Sequence, residues 1–315
     1  MRSVIFNKYG DAGVLEIAER DIPELPVDKL LIKVSASSVN PVDYKIRRGD
    51  LKFITGKKFP KYAGADFSGV IEKTGENVEG YVAGDRVYGF ISAVKGGAYA
   101  DYLIVDPACV SLMPETFTFE EAASVPLAAL TALQSLNYIG NIREGARVLV
   151  NGATGGVGIF AVQIAGAMGA DVTGVCSKKN AELCRKLGAK KVYDYRSEDL
   201  KRSGDTFDIF FDAAAKMTFA ESRQYLNSGG MYISTIPSPG LLFRRILNIF
   251  PFLKKARTIW VKPSGVDLTI LTGFAMTGDL VPVVENVFPL EKVSEAHQLA
   301  ESGNFRGKIV IKIEE

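Results

Sequence analysis

Two hydrophobic periods divide the chain. Up to about residue 110 the apolar residues fall in short β-type runs: SVIF, KLLIKVSASSV, FSGVIEKTG, DRVYGF and AYADYLIV. Gly, Pro and Asp turns separate them, as expected of a β-rich domain of barrel type. From about Glu120 the spacing changes, and EEAASVPLAALTALQSLNYIG has the small and apolar spacing of one buried helix. Strand and helix candidates then alternate through RVLV, GIFAVQIAGAMG, DVTGVC, KNAELCRKLG, KVYDY, FDIFFDA, FAESRQYL and MYISTI, with TIWV as the sixth strand. That alternation predicts an α/β fold with a doubly wound, parallel, six-stranded sheet. After Pro263, DLTILTGFAMTG reads as a helix, VPVV as an edge strand, SEAHQLAESG as a helix and KIVIKI as a closing strand. This tail is too short for a domain of its own. The expected division is therefore residues 1–120 with 264–315, and residues 121–263.

Composition narrows the function classes. Of 315 residues, 47% are hydrophobic and 23% charged, the balance of a globular protein. Lys and Arg number 38 against 36 Asp and Glu, so no nucleic-acid footprint is expected. No signal-peptide core and no long uncharged apolar run stands out, which reads as a cytoplasmic protein. Three scattered cysteines (Cys109, Cys176, Cys184) argue for reduced thiols, and a single histidine, His297, argues against a tetrahedral zinc site. His297 reads as a helix-surface or packing residue. The stretch GLLFRRILNIFPFLKKARTIW, from Gly240 to Trp260, mixes Arg and Lys with bulky apolar residues. Its first reading is core plus subunit contact; a pocket wall carrying Phe243, Phe250 and Phe252, or contact with lipid, rank behind, so membrane contact is not expected.

The chemistry begins at NGATGGVG, Asn151 to Gly158, between the RVLV strand and the following helix. The six-position dinucleotide fingerprint falls on Ala153 to Gly158, with Ala153 in place of its first glycine. Gly155 lets the backbone approach a pyrophosphate, and Gly158 lets the helix pack closely on the sheet. The second strand ends at Cys176, and an NAD-preferring site would carry Asp or Glu just beyond. Ser177, Lys178, Lys179 and Asn180 stand there instead. A hydroxyl and an ammonium suit a 2′-phosphate that a carboxylate would repel. The cofactor expected is NADP(H), held in part by Ser177 and Lys179.

Ordered motifs over nearly the whole chain carry a resemblance: SVNPVDYKIRRGD, YAGADFSGVIEKTGENVEGYVAGDRVYGF, LTALQSL, NGATGGVG, KLGAKKVYDY, FDIFFDA and SGNFRGKIVIKI. The chain resembles the medium-chain dehydrogenase/reductases, in particular their zinc-independent quinone oxidoreductase branch with its alkenal and enone reductases. The resemblance implies a GroES-like β-rich catalytic domain with an inserted Rossmann domain, a nicotinamide cleft and a homodimer. It also implies further cofactor contacts at Thr131, Thr154, Gly156, Val157, Tyr195, Asp212, Ala213, Ile236 and Lys308. Where the zinc-dependent alcohol dehydrogenases carry ligands, this chain has Asn40 and Ala65, and the cysteine-rich lobe after YGF is missing. Hydride transfer to a small, apolar, electron-poor acceptor, a quinone or an α,β-unsaturated carbonyl, then remains. Asn40 is implied to line the site, with Tyr44 or Lys45 as donor to the acceptor oxygen. Asp43 and Asp66 read as holding local loops. Two alternatives stay open: an NADPH-binding protein without turnover, in a crystallin-like or RNA-binding role, and an alcohol or sugar dehydrogenase.

Overall fold

The structure is a computed structural model that describes residues 1–197, 199–237 and 253–314. The chain divides into two compact units. The first comprises Met1–Leu127, Lys262–Met276 and Pro282–Glu315; the second comprises Ala128–Val261 and Thr277–Val281.

In the first unit, β1 (Arg2–Phe6), β2 (Glu16–Glu19) and β4 (Lys61–Tyr62) form a small antiparallel sheet in the order β2-β1-β4. The larger sheet holds β3 (Leu30–Val39), β5 (Asp66–Thr74), β6 (Arg86–Phe90), β7 (Tyr102–Val105), β8 (Val110–Leu112), β15 (Val284–Pro289) and β16 (Lys308–Lys312). Its order is β15-β16-β3-β5-β6-β8, with β7 also paired to β3. Strand β3 is the hub: nine of its ten residues are buried, as a strand with partners on both sides requires. The C-terminal strand β16 lies antiparallel to β3, pairing Ile309 with Val39, and this register brings Lys308 beside Asn40. Helix α1 (Pro41–Arg48) follows β3. Asn40 and Asp43 form its capping box, Pro41 fits its first turn, and Gly49 at φ +86° ends it. A short turn, α2 (Lys52–Thr55), comes next.

The second unit is built on six strands: β9 (Arg147–Asn151), β10 (Asp171–Cys176), β11 (Lys191–Asp194), β12 (Phe207–Asp212), β13 (Leu226–Ser234) and β14 (Lys255–Thr258). All pair in parallel in the order β11-β10-β9-β12-β13-β14, the doubly wound arrangement expected from the alternation. Its central strands β9 and β12 read as continuous apolar runs because helices cover both faces of such sheets. Helix α5 (Gly158–Ala167) is buried over its first eight residues and accordingly has no polar face.

Three element assignments change. The single helix expected after Glu120 is broken into α3 (Phe119–Ala123), α4 (Pro126–Gln134) and a wider π-type turn at Ser135–Ile139, the first break falling just before Pro126. The sixth strand is KART, not TIWV. Ala256 is its buried member, whereas Trp260 is 64% exposed, so bulk misled the sequence reading. The edge strand begins at Val284, past Pro282, and alternates half-buried with exposed positions instead of occupying VPVV. The helices at Gly265–Met276 (α6) and Val293–Ser302 (α7) form where the periodicity placed them. Most of the basic stretch, residues 240–252 with Phe243, Phe250 and Phe252, lies outside the described residues.

Candidate functional site

In the second unit the chain turns at the carboxyl edge of the parallel sheet. Asn151, Cys176, Asp194, Asp212 and Ser234 close five strands side by side, since the registers pair Asn151 with Asp212, Cys176 with Asp194, and Asp212 with Ser234. Gly152 takes φ +80°, and a Cβ there would stand 2.7 Å from that of Ala214. A Cβ on Gly158 would fall on the carbonyl oxygen of Gly152, so only glycine lets α5 start so close to the turn. Gly155 differs: a Cβ there would meet only the Gly152 oxygen at 3.4 Å and otherwise face open space. No side chain caps the start of α5. An uncapped helix start beneath an open glycine is a cradle for an anion.

The loop after β10 completes this edge. Ser177 is 7% exposed, and its Oγ has no hydrogen-bond partner. Such an orphaned buried hydroxyl is costly unless a ligand satisfies it. Asn180 Nδ2 donates to Thr154 Oγ1 at 3.2 Å, tying the loop to the glycine turn, while Lys178 and Lys179 are exposed. Tyr195, 59% exposed, donates its backbone N–H to the carbonyl of Cys176 and so lies next to Ser177. These residues fit a dinucleotide. Ala213 and Ile236 follow β12 and β13 at the same edge, Ile236 43% exposed. Asp212 is fully buried, and its carboxylate accepts from Asn151 Nδ2 at 2.8 Å, Met217 N at 2.8 Å and Tyr232 Oη at 3.3 Å. Its side chain therefore fastens neighbouring strands and leaves the main chain at the edge. Thr131 is buried in α4; Gly156 and Val157 continue the turn.

The first unit holds a buried polar network. Asn40, 2% exposed, donates from Nδ2 to Asp66 Oδ2 at 2.7 Å and accepts at Oδ1 from Lys308 Nζ at 2.6 Å. Lys308 Nζ is also 3.6 Å from Asp66 Oδ2. Asp66 further accepts from Ser38 Oγ at 2.6 Å and Leu127 N at 2.8 Å. Lys308 is thus 2% exposed, its ammonium engaged by Asn40 and Asp66. Burial holds that ammonium below the ordinary lysine value, against the pull of Asp66 and Asp43.

Asp43 accepts the backbone N–H of Asn40 at 2.7 Å, and burial raises its carboxyl to about 7. Tyr99 and His297 extend the network: His297 Nε2 lies 3.3 Å from Tyr99 Oη, with the rings edge-to-face at 5.8 Å. Burial pushes His297 down to about 3, and the Arg47 guanidinium adds to this, so the imidazole is neutral. His297 is a packing residue, as one of the two readings held. Tyr44 and Lys45 are both half-buried on α1 but, as neighbours in a helix, point to different faces. Burial raises the Tyr44 phenol, keeping it protonated at neutral pH, and the Arg48 guanidinium lies 5.9 Å from its ring centre. The sequence reading missed Ser38, Tyr99 and Asn151 in these two clusters. The helical spacing of Val293, Ala296, His297 and Ala300 already marked the inward face on which His297 lies.

Comparison with known proteins supplies the context. Residues 26–115 match the alcohol dehydrogenase GroES-like domain family, and residues 187–311 the family described as zinc-binding dehydrogenase. The human mitochondrial NAD(P)H oxidoreductase RTN4IP1 is 33% identical over 99% of this chain and 89% of its own length. The 2-methylene-furan-3-one reductase of Solanum lycopersicum is 32% identical over 99% of this chain and 79% of its own. The solved quinone oxidoreductase of Coxiella burnetii superposes with a TM-score of 0.90 at 30% identity, covering 100% of this chain and 99% of that one. The zinc in the second family's description does not fit the residues here. Ala65 has no donor atom, the carboxamide of Asn40 holds an ammonium, and no group of three or more His, Cys, Asp or Glu gathers among the described residues.

Proposed function

The chain belongs to the medium-chain dehydrogenase/reductase superfamily, and on that footing we propose that it is an oxidoreductase using NADPH to reduce quinones or α,β-unsaturated carbonyls. The observation that carries the cofactor assignment is the buried, unpartnered hydroxyl of Ser177 where an NAD site would place a carboxylate. Gly155, Gly156 and the uncapped start of α5 receive the pyrophosphate; Ser177 and Lys179 receive the 2′-phosphate; Tyr195 borders it. Thr131, Thr154, Val157 and the main chain at Asp212, Ala213 and Ile236 line the remainder. When bound, the reduced nicotinamide supplies a hydride.

The acceptor class follows from donor chemistry. With Asn40 and Ala65 where a metal would be ligated, an acceptor that carries its own conjugation is the one that needs least activation. Hydride addition to an enone leaves charge on its oxygen, and a hydrogen-bond donor must meet it. We assign that role to Tyr44 or Lys45, and to Lys308 and Asp66 the holding of Asn40 in one orientation. Names of the relatives agree in class: one is an enone reductase, another a quinone oxidoreductase.

The test is NADPH consumption by the purified chain against a panel of quinones, enones and alcohols (the last with NADP+). Turnover with at least one conjugated acceptor and none with alcohols is expected. Tight NADPH binding without turnover of any acceptor would place the chain among non-catalytic nucleotide binders instead.

A further inference from the structure

Lipid contact is not expected of residues 240–260, but the segment after α1 has the features of a lipid-facing tip. Between Arg48 and Lys61 the chain carries Arg48, Lys52, Lys57, Lys58 and Lys61 against one carboxylate, Asp50. At the centre of this run, on α2, Phe53 is 94% exposed and Ile54 53%. Lone apolar residues on a surface need no explanation, but an almost wholly exposed Phe beside an exposed Ile, flanked along the chain by cations, does.

The tip is built, not frayed. Leu51 on one side and Phe59 on the other pack against the core of the first unit. Phe59 meets Tyr9 edge-to-face at 5.0 Å and Phe6 at 6.2 Å. Tyr9 Oη bonds Thr55 Oγ1 at 2.8 Å and donates to the carbonyl of Gly56, while Lys61 Nζ donates to Thr55 O at 2.7 Å. With both flanks fastened, the four-residue turn has nowhere to fold Phe53 and Ile54 inward. Two of the cations are also committed: Arg48 to Asp50 at 2.6 Å, and Lys61 to Thr55. Lys52, Lys57 and Lys58 are exposed, and none of the three has an ion pair among the described residues; Lys52 Nζ stands 5.8 Å from the Phe53 ring centre.

We propose that this tip docks the protein on an anionic lipid surface, with Phe53 and Ile54 entering the interface and Lys52, Lys57 and Lys58 meeting headgroup phosphates. A convex tip with a protruding aromatic ring needs either a matching pocket or a fluid phase that parts around it. The exposed lysines that flank it along the chain select a negative fluid phase. A second copy of the chain would bring the same cations face to face, which disfavours self-association through the tip. A soluble phosphate would satisfy the lysines and leave the apolar pair in water.

The experiment is co-sedimentation of the full chain with vesicles of phosphatidylcholine alone and of phosphatidylcholine mixed with phosphatidylglycerol, at low and high salt. No NADPH or acceptor is needed, so the result is independent of the proposed reductase activity. Binding to the mixed vesicles about tenfold or more above neutral ones is expected, falling with salt. K57E/K58E should abolish that preference, and F53S/I54S should weaken binding at both salt levels, with the unfolding profile of each variant unchanged. Equal binding to the two vesicle types would overturn the proposal, as would variants that bind like the parent. Retention on a polyanion resin without vesicle binding would also overturn it, marking a cation cluster only.

Discussion

The glycine turn of the second unit and the buried network of the first are both polar, yet they are finished differently. At the centre of the network the groups satisfy one another: Asn40 uses both ends of its carboxamide, Asp66 accepts from three donors, and Lys308 bridges the two, while only at its far end does His297 Nδ1 lack a partner. At the turn, groups are left open: the Ser177 hydroxyl has no partner, α5 starts uncapped, and the space beyond Gly155 is empty. On the proposed reading, the difference separates a region that holds geometry from one that binds the cofactor. Loss of a network member should therefore cost stability, and loss of a turn member should cost cofactor.

The largest expected break of that contrast is in the network. K308M removes the cation from Asn40 and Asp66 and leaves a carboxylate buried without its partner. It should destabilise the first unit by about 3–5 kcal/mol, read from its denaturant transition, while NADPH affinity at a temperature where the variant stays folded changes little. A variant as stable as the parent would show that the network is not load-sharing.

Next comes pH, where two buried groups act in opposite directions. Asp43 is raised from 3.8 to about 7, so between those values the native state keeps a proton that the unfolded chain has lost, and stability falls as pH rises. His297 is lowered from 6.5 to about 3, so in that window the unfolded chain takes up a proton the native state refuses, and stability falls as pH drops. From about pH 4 to 6.5 the two effects oppose. Relative to the parent, D43N should make stability climb more steeply with pH across that range, and H297Q should tilt it the other way. Each tilt is at most about 1.4 kcal/mol per pH unit. Tilts of the same sign in denaturant midpoints would contradict the assignment. Asparagine at 43 still offers an oxygen to the Asn40 N–H, so the cap survives the change.

The smallest effects separate two glycines of one motif. G158A puts a methyl on the Gly152 carbonyl and should cost about 1–3 kcal/mol of stability. G155A fills only the open cradle, so it should leave the unfolding transition in place and raise the NADPH dissociation constant roughly tenfold, about 1.4 kcal/mol. If calorimetric titration and melting show both glycines moving both quantities alike, the distinction between the two positions fails.

How much of this was visible in the sequence depends on distance along the chain. The turn is a local signal: strand, glycines and helix lie within Arg147–Ala167, and Ser177 follows one strand later, so periodicity and spacing revealed it. The network is not local. Asn40 and Lys308 lie 268 positions apart, and only the antiparallel register of β16 on β3 joins them. Resemblance singled out Lys308 among cofactor contacts, but nothing in RGK indicated a buried ammonium. Element boundaries failed where local chemistry outweighed hydrophobicity: at Pro126 in the broken helix, at Pro282 before the edge strand, and at Ala256, a small residue that fills a strand position where the reading preferred Trp260. Phe53 gave no signal at all, since an apolar residue in a short polar run reads equally well as core.

The central claim is that the edge of the second unit recognises a 2′-phosphate through Ser177 and Lys179. It is tested most directly by steady-state kcat/KM for NADPH and NADH, in the parent and in S177D/K179A, with one acceptor held constant. The parent should prefer NADPH. Charge-assisted bonds to a phosphate contribute about 1.5–3 kcal/mol each, so the variant should lose on the order of a hundredfold with NADPH while NADH changes little. Equal losses with both cofactors, or a parent that prefers NADH, would contradict the account.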